Sequence, residues 1–310
     1  MEWQQLLGFC QVAKLGSFTK AAEATFRTQS ALSQQVKALE DELGVRLLER
    51  LGKRRLKLTP PGEKLLAFAQ GLLTQWDRLQ DDLRQLQGRP QGPLSLAAPF
   101  TTLYHLLPET LLAYLQAYPQ VELTLLDRDQ ASVFALVKAG DIDFGLALQS
   151  LVPRDLTAWP WQPVDTVLLA PLGHPLTRVR RVTWPQIAAY PLIVPPRGFE
   201  SGHRRLLEEQ FRKLGLAFRI ILESSNVELS ARYVETGLGL AFATLARDLP
   251  PERPRRVAFI PLGHYFKPDH LALIMRRDKT LTPYKQAFLN LLFGDTMLPQ
   301  QPMHPKFRPL

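Results

Sequence analysis

The chain has 310 residues, 45% of them hydrophobic and 22% charged, which excludes a disordered chain and leaves room for two or three packed domains. Its 38 Lys and Arg against 29 Asp and Glu give a formal charge of +9, suited to a polyanion and equally to an anionic membrane surface. A single cysteine, Cys10, excludes a disulfide framework and a thiolate metal cluster, and no apolar run reaches bilayer length. Glu2 stands where an export signal would carry a cation, so the expected compartment is the cytoplasm, with Cys10 a buried thiol and no membrane partner.

In chain order, Trp3 to Lys14 reads as an amphipathic helix through Leu6, Leu7, Phe9, Val12 and Ala13, stopped at Gly16. Ser17 is positioned to cap a second helix, whose small Ala21 and Ala22 allow another helix to approach closely. Thr28 then caps a third, with the apolar stripe Leu32, Val36, Leu39 and Leu43. The opposite face carries Gln29, Ser30, Ser33, Gln34 and Lys37. Such a face is either a solvated surface or one that reads base edges, since Gln bonds adenine in bidentate fashion and Ser serves donors and acceptors alike. The basic stretch downstream favours the second. Arg46, Arg50, Lys53, Arg54, Arg55 and Lys57, with Gly52 as a turn and Leu51, Leu56 and Leu58 interleaved, form a basic β-wing pattern able to hold phosphates.

The run from Phe9 to about Leu66 resembles the winged helix-turn-helix head of LysR-type transcriptional regulators. The resemblance rests on Gly-Ser-Phe-Thr from Gly16, the Ala21-Ala22 pair, Gln-Ser-Ala-Leu-Ser from Gln29 to Ser33, Leu39-Glu40, Leu43-Gly44, Glu49-Arg50, Leu58-Thr59 and Gly62. Thr25 and Arg27 stand where the family usually has aliphatic residues, and Gln34 where Arg is common. Arg27 is expected to add a phosphate contact and Gln34 to alter the base that is read. The expected DNA contacts are therefore Arg27, Thr28, Gln29, Ser30, Ser33, Gln34, Lys37, Arg50, Lys53, Arg54 and Arg55. The resemblance implies a dyad-symmetric operator with T and A at its half-site ends, and RNA polymerase as a further partner.

After Thr59, another capping residue, Pro60 and Pro61 suit a first helical turn and Gly62 is tolerated there. Leu65, Ala69, Leu72, Trp76, Leu79, Leu83 and Leu86 step by four and three, a seam that asks for a partner helix. About 28 residues make a helix of roughly 42 Å, too long to pack on its own small head. Homodimerisation is expected along this seam, and the resemblance adds homotetramers built as dimers of dimers.

The Gly- and Pro-rich segment 89–93 is read as a hinge. Beyond it, apolar strands alternate with helical patterns twice over. This indicates parallel sheets in two α/β subdomains, I at about 94–164 and 268–296, II at about 165–267. The body resembles the periplasmic-binding-protein-like effector domain of the same family, most clearly at Asp141-Ile-Asp143 and at Glu235-Thr-Gly237-Leu-Gly239. The expected fold class is thus α/β with an α-rich head: winged helix-turn-helix over 1–58, linker helix over 59–88, effector domain over 94–296, and an irregular tail, 297–310, without an assigned role.

Ligands in open α/β sheets bind beyond the carboxyl ends of strands. That rule nominates Phe100, Thr101, Thr102, Arg197, Phe199, Ser201, His203 and Asn226 as walls for a small-molecule effector, with local capping or surface solvation as the alternative at each polar position. An enzyme finds little support. The six histidines are scattered, and no metal-protease, nucleophile-elbow or phosphate-loop motif is present, so no catalytic residue, metal or cofactor is expected. A transport-type solute-binding protein would need an export signal and no basic head, and a structural nucleoid protein would not need a cleft.

Overall fold

The computed structural model describes residues 1–51, 55–86, 92–196, 202–247, 256–279 and 281–294. The chain divides into two compact units, Met1–Pro90 with Asp278–Thr280, and Gln91–Arg277 with Leu281–Leu310. Among the described residues, no helix is long and apolar enough to cross a membrane.

The first unit opens with α1 (Trp3–Leu15), which ends at Gly16 in the left-handed region, where its N–H donates to Val12 O. Ser17 Oγ accepts from Lys20 N at the start of α2 (Phe18–Ala24), and Thr28 Oγ1 accepts from Ala31 N at the start of α3 (Gln29–Leu43). Phe9, Val12, Ala21, Leu32, Val36 and Leu39 meet in one buried cluster, so the apolar stripes read from sequence close a three-helix core. Strands β1 (Leu48–Leu51) and β2 (Arg55–Leu58) pair antiparallel as the wing. Glu40 ties this wing to α3 by accepting from Leu47 N at 2.7 Å and Leu48 N at 3.2 Å.

Helix α4 (Pro60–Leu86) starts where Thr59 Oγ1 accepts from Gly62 N. Gly62 is required rather than tolerated: a Cβ there would lie 2.1 Å from Leu47 O, so the first turn of α4 touches the wing backbone directly.

The second unit runs β3 (Pro93–Ala98), α5 (Phe100–His105), α6 (Pro108–Ala117), β4 (Glu122–Asp127), α7 (Gln130–Ala139) and β5 (Phe144–Leu148). It continues with β6 (Leu156–Pro171), α8 (Trp184–Ala188), β7 (Leu192–Val194), α9 (Gly202–Lys213), β8 (Ile220–Glu223), α10 (Val227–Glu235), β9 (Leu240–Ala246), β10 (Val257–Pro261), β11 (Asp269–Arg276) and α11 (Pro283–Phe293).

The two expected parallel sheets are instead one path, β4-β3-β5-β11-β6-β9-β7-β8, with β10 beside β6. Parallel pairing holds at either end, β3 with β4 and β5, and β7 with β8 and β9. The middle is antiparallel because β6 and β11 are the two crossings between lobes. The first half of β6 was not legible as a strand, since Pro160 and Pro163 argue against a central position. The pairing accommodates them with a register shift at Leu271/Ala272 that leaves Trp161 unpaired, and Trp161 Nε1 donates to Leu292 O instead.

Each lobe has its own core, Leu96, Tyr114, Phe144 and Phe288 in one, Leu168, Trp184, Ile187 and Phe211 in the other. In the first, Asp143 is buried and satisfied: Oδ1 takes Lys285 Nζ at 2.8 Å, while Oδ2 accepts from Ser95 N and Ser95 Oγ. The Asp-Ile-Asp signature is thus a clamp between β3, β5 and α11. These bonds offset part of the cost of burying its charge.

Candidate DNA-reading helix and effector cleft

On α3, Gln29, Ser30, Gln34 and Lys37 are exposed and Ser33 is half-buried, all on the face opposite Leu32, Val36 and Leu39. A fifteen-residue helix with short hydrogen-bonding side chains on its outer face, held from behind by a closed core, presents what major-groove reading requires.

Arg27 is arranged differently from the expectation. Its guanidinium donates to Gln35 Oε1 at 3.2 Å and to Gln4 Oε1, which ties the turn before α3 to α1 and α3. Beside it, Phe26 is a feature that sequence reasoning missed. Its φ is +52° and its ring is 99% exposed, in the turn between α2 and α3.

In the wing, Arg50 and Arg55 lie on the paired strands, Arg50 opposite Leu56 and Leu51 opposite Arg55. Lys53 and Arg54 fall outside the described residues. Arg46 and Lys57 are exposed.

The seam on α4 divides. Leu65 packs against the head core and Ala69 is fully buried, so these positions are not open to a partner helix. Leu72 is half-buried, and Trp76 meets Trp3 of α1 with ring centroids 5.6 Å apart. The seam becomes open where α4 outgrows the head, with Trp76, Leu79 and Leu83 exposed by 46%, 47% and 48%. The side chain of Leu86 lies outside the described residues.

In the second unit a cavity of about 130 Å³ opens between the lobes. Thr101 and Thr102 reach it from α5, as expected. Facing them are Ser224, Ser225 and Ser230, with Gln130 and Thr244 completing the polar wall and Leu106, Val164 and Phe242 among its apolar walls. Gln130 Oε1 accepts from Leu148 N, and Ser230 Oγ donates to Asn226 O, so both are already oriented.

Phe100 does not line the cavity; it stacks on Tyr104 at 5.4 Å. Asn226 is a helix cap, its Oδ1 accepting from Leu229 N at 3.0 Å, because the first turn of α10 needs an acceptor there. Arg197, Phe199 and Ser201 fall outside the described residues, as does the side chain of His203 on α9. Gln130, Ser224 and Ser225 were missed although each stands just after a strand, the position that nominated Thr101.

Cys10 is half-buried, and burial pushes its thiol up to about 11, so it stays protonated and unreactive near neutrality.

Two family models match this chain. Residues 3–63 match the bacterial regulatory helix-turn-helix protein of the lysR family, and residues 87–295 match the LysR substrate binding domain. The chain belongs to the LysR family of transcriptional regulators.

Relatives span almost its full length. The HTH-type transcriptional regulator cbl of Escherichia coli is 29% identical over 293 residues, covering 94% of this chain and 92% of that protein. The HTH-type transcriptional regulator CysB of Burkholderia cenocepacia is 30% identical over 278 residues, covering 89% and 88%. Among solved structures, the cofactor-binding domain of the Cbl transcriptional regulator superposes with a TM-score of 0.56 at 28% identity, over 66% of this chain and 89% of that one. A full-length OxyR variant from Pseudomonas aeruginosa shares the fold with a TM-score of 0.64 at 24% identity, over 94% and 93%. This LysR-type chain is therefore a DNA-binding transcriptional regulator carrying an effector-binding domain, in a family of regulators rather than enzymes.

Proposed function

We propose that this regulator works in pairs: 1–58 reads half of a dyad-symmetric operator, 59–88 supplies the dimer helix, and 94–296 senses a small polar effector. The observation that carries the reading is the outward face of α3, where Gln29, Ser30, Gln34 and Lys37 stand exposed above a closed apolar core. One such helix reaches few base pairs, whereas two heads on one support bind with a high effective concentration. The open stretch of α4 at Trp76, Leu79 and Leu83 is the surface for the partner copy, and pairs of dimers account for tetramers.

The cavity sets the class of effector. Its volume is close to that of an engineered protein cavity of about 150 Å³ that holds benzene. Among the described residues its polar groups are hydroxyls and one amide, which fits a molecule, or the head of one, with a handful of heavy atoms and several hydrogen-bonding oxygens. Effector binding acts by favouring one arrangement of the lobes over another, and RNA polymerase reads the resulting change at the promoter. The chain works in the cytoplasm, where its DNA lies.

Protection mapping on the DNA upstream of its own gene, repeated with candidate metabolites, tests the whole reading. Two protected patches related by a dyad and about one helical turn apart, or a multiple of it, are expected, with their pattern altered by the effector. Uniform protection of any duplex, unaffected by Gln34→Ala, would replace the regulator that reads a sequence by a general DNA coat.

A further inference from the structure

In the second lobe, four guanidinium groups find carboxylates. Arg204 pairs with Glu208 and Glu223, Arg205 with Glu209, Arg232 with Glu235 and Arg247 with Asp165. Six others among the described residues do not, Arg212, Arg219 and a group of four on neighbouring segments: Arg178, Arg180, Arg181 and Arg256. All four are exposed, and none has an acidic partner among the described residues.

The fold brings their two segments together. Leu172 N donates to Arg256 O at 3.2 Å where β10 pairs with β6, and the 3-10 turn Pro175–Arg178 packs along β10. Further on, the His264 ring nitrogen lies 2.9 Å from Val182 O. Leu176 and Val182 are buried in one cluster with Ile260 and Leu262, so the arginine-bearing loop is held down from beneath while its charged side chains face outward. No Asp or Glu occurs from Pro171 to Trp184 or from Arg256 to Pro268, so these two segments carry charge of one sign.

Like charges at this density repel one another and add nothing to folding. Guanidinium forks match phosphate oxygens in bidentate fashion. A protein partner for this face would have to be strongly acidic, whereas DNA is already tethered to the chain by its head and is met at a high effective concentration.

We infer that Arg178, Arg180, Arg181 and Arg256 form a second, sequence-independent contact with duplex DNA flanking the operator. This rests on the operator-binding reading above. Contacts of this kind lengthen the protected region and steepen the dependence of affinity on salt, without changing which bases are read.

The test titrates the full-length protein and its R178A/R180A/R181A variant with two duplexes from upstream of its gene, across a range of salt. One duplex is trimmed to the operator, and the other extends several helical turns beyond it. On the long duplex the variant's plot of log affinity against log salt is expected to be shallower by about 0.9 for each phosphate that the arginines no longer neutralise, with affinity at low salt down at least about tenfold. On the trimmed duplex the two proteins should coincide, and R178K/R180K/R181K should retain the original slope because charge, not shape, is being tested.

Equal slopes on the long duplex overturn the inference and leave an acidic protein as the occupant. Equal reductions on both duplexes overturn it too, since the arginines would then act through the head. Should neither protein distinguish operator from random duplex, the operator reading fails, while the slope difference on long random duplex still decides the arginine face.

Discussion

His105 Nε2 stands 2.6 Å from Glu228 Oε1, joining α5 of one lobe to α10 of the other. The His105 side chain is only 6% exposed, and its neighbour Leu106 lines the cavity, as does Val227 beside Glu228. The pair is a link across the cleft at the edge of the cavity. Glu228→Ala deprives a buried imidazole of its carboxylate and is expected to cost about 1–3 kcal/mol, with Glu228→Gln costing less because its amide still bonds the ring. Urea unfolding of the full chain measures this, and identical midpoints for all three proteins would mean that the link contributes nothing.

Gly62→Ala places a methyl group 2.1 Å from Leu47 O and 3.1 Å from a Leu58 methyl. The Leu47 contact is backbone and cannot swing aside as a side chain would, so a loss of about 1–3 kcal/mol in the head is expected. Operator affinity should fall with it. Hydrogen exchange at the amides of α1 and α3 follows the head, and protection unmoved by the methyl group contradicts the close approach.

Leu79→Glu with Leu83→Glu puts charge on the open part of α4 and is expected to convert the protein to monomers in sedimentation equilibrium. Operator affinity should drop by about a hundredfold or more as the second head is removed. Leu65 and Ala69 would be poor choices for this test, because their replacement damages the head itself. Dimers that persist in the double variant would move the interface elsewhere.

Burial holds the His174 ring below its usual pKa, and the ring also packs on Tyr190 with centroids 4.4 Å apart. Its Nδ1 accepts from Leu176 N, which requires that nitrogen to be unprotonated. A base with a depressed pKa in the folded state stabilises the protein least in acid. Its contribution is intact above the unfolded value near 6.5 and declines as pH falls from there to the folded value. His174→Asn keeps an acceptor for Leu176 N and should flatten the pH dependence of the melting temperature in that window; an undiminished slope would assign the acid sensitivity to other groups.

Thr101→Val and Thr244→Val exchange cavity hydroxyls for methyl groups of the same shape. Each is expected to weaken the effector response about five- to tenfold, the worth of one net hydrogen bond of about 1 kcal/mol, with operator affinity in its absence unchanged. Isothermal titration with the metabolite that alters the footprint checks this. An unaltered titration removes these hydroxyls from the site.

Much of the head was legible because its rules are local. Ser17, Thr28 and Thr59 cap where their sequence positions indicate, and the stripe Leu32, Val36, Leu39 follows from the helical repeat alone. Gly62 was misjudged for the opposite reason: its necessity comes from a carbonyl fifteen residues earlier, which no periodicity can show. Of the described cavity wall, only Thr101 and Thr102 were readable from strand ends. Asn226 was not, since capping and ligand binding ask for the same side chain and only the bond to Leu229 N separates them.

The sequence by itself determined the helices of the head, the family and the polar outer face of α3, because caps, repeats and motif spacing are short-range properties of the chain. Tertiary structure alone decided that one sheet path joins both lobes, that the seam of α4 is open only beyond the head, that Gln130, Ser224 and Ser225 join the threonines, and that His105 meets Glu228. Each of these brings together residues far apart in the chain, and such proximity is a consequence of packing that no local pattern encodes.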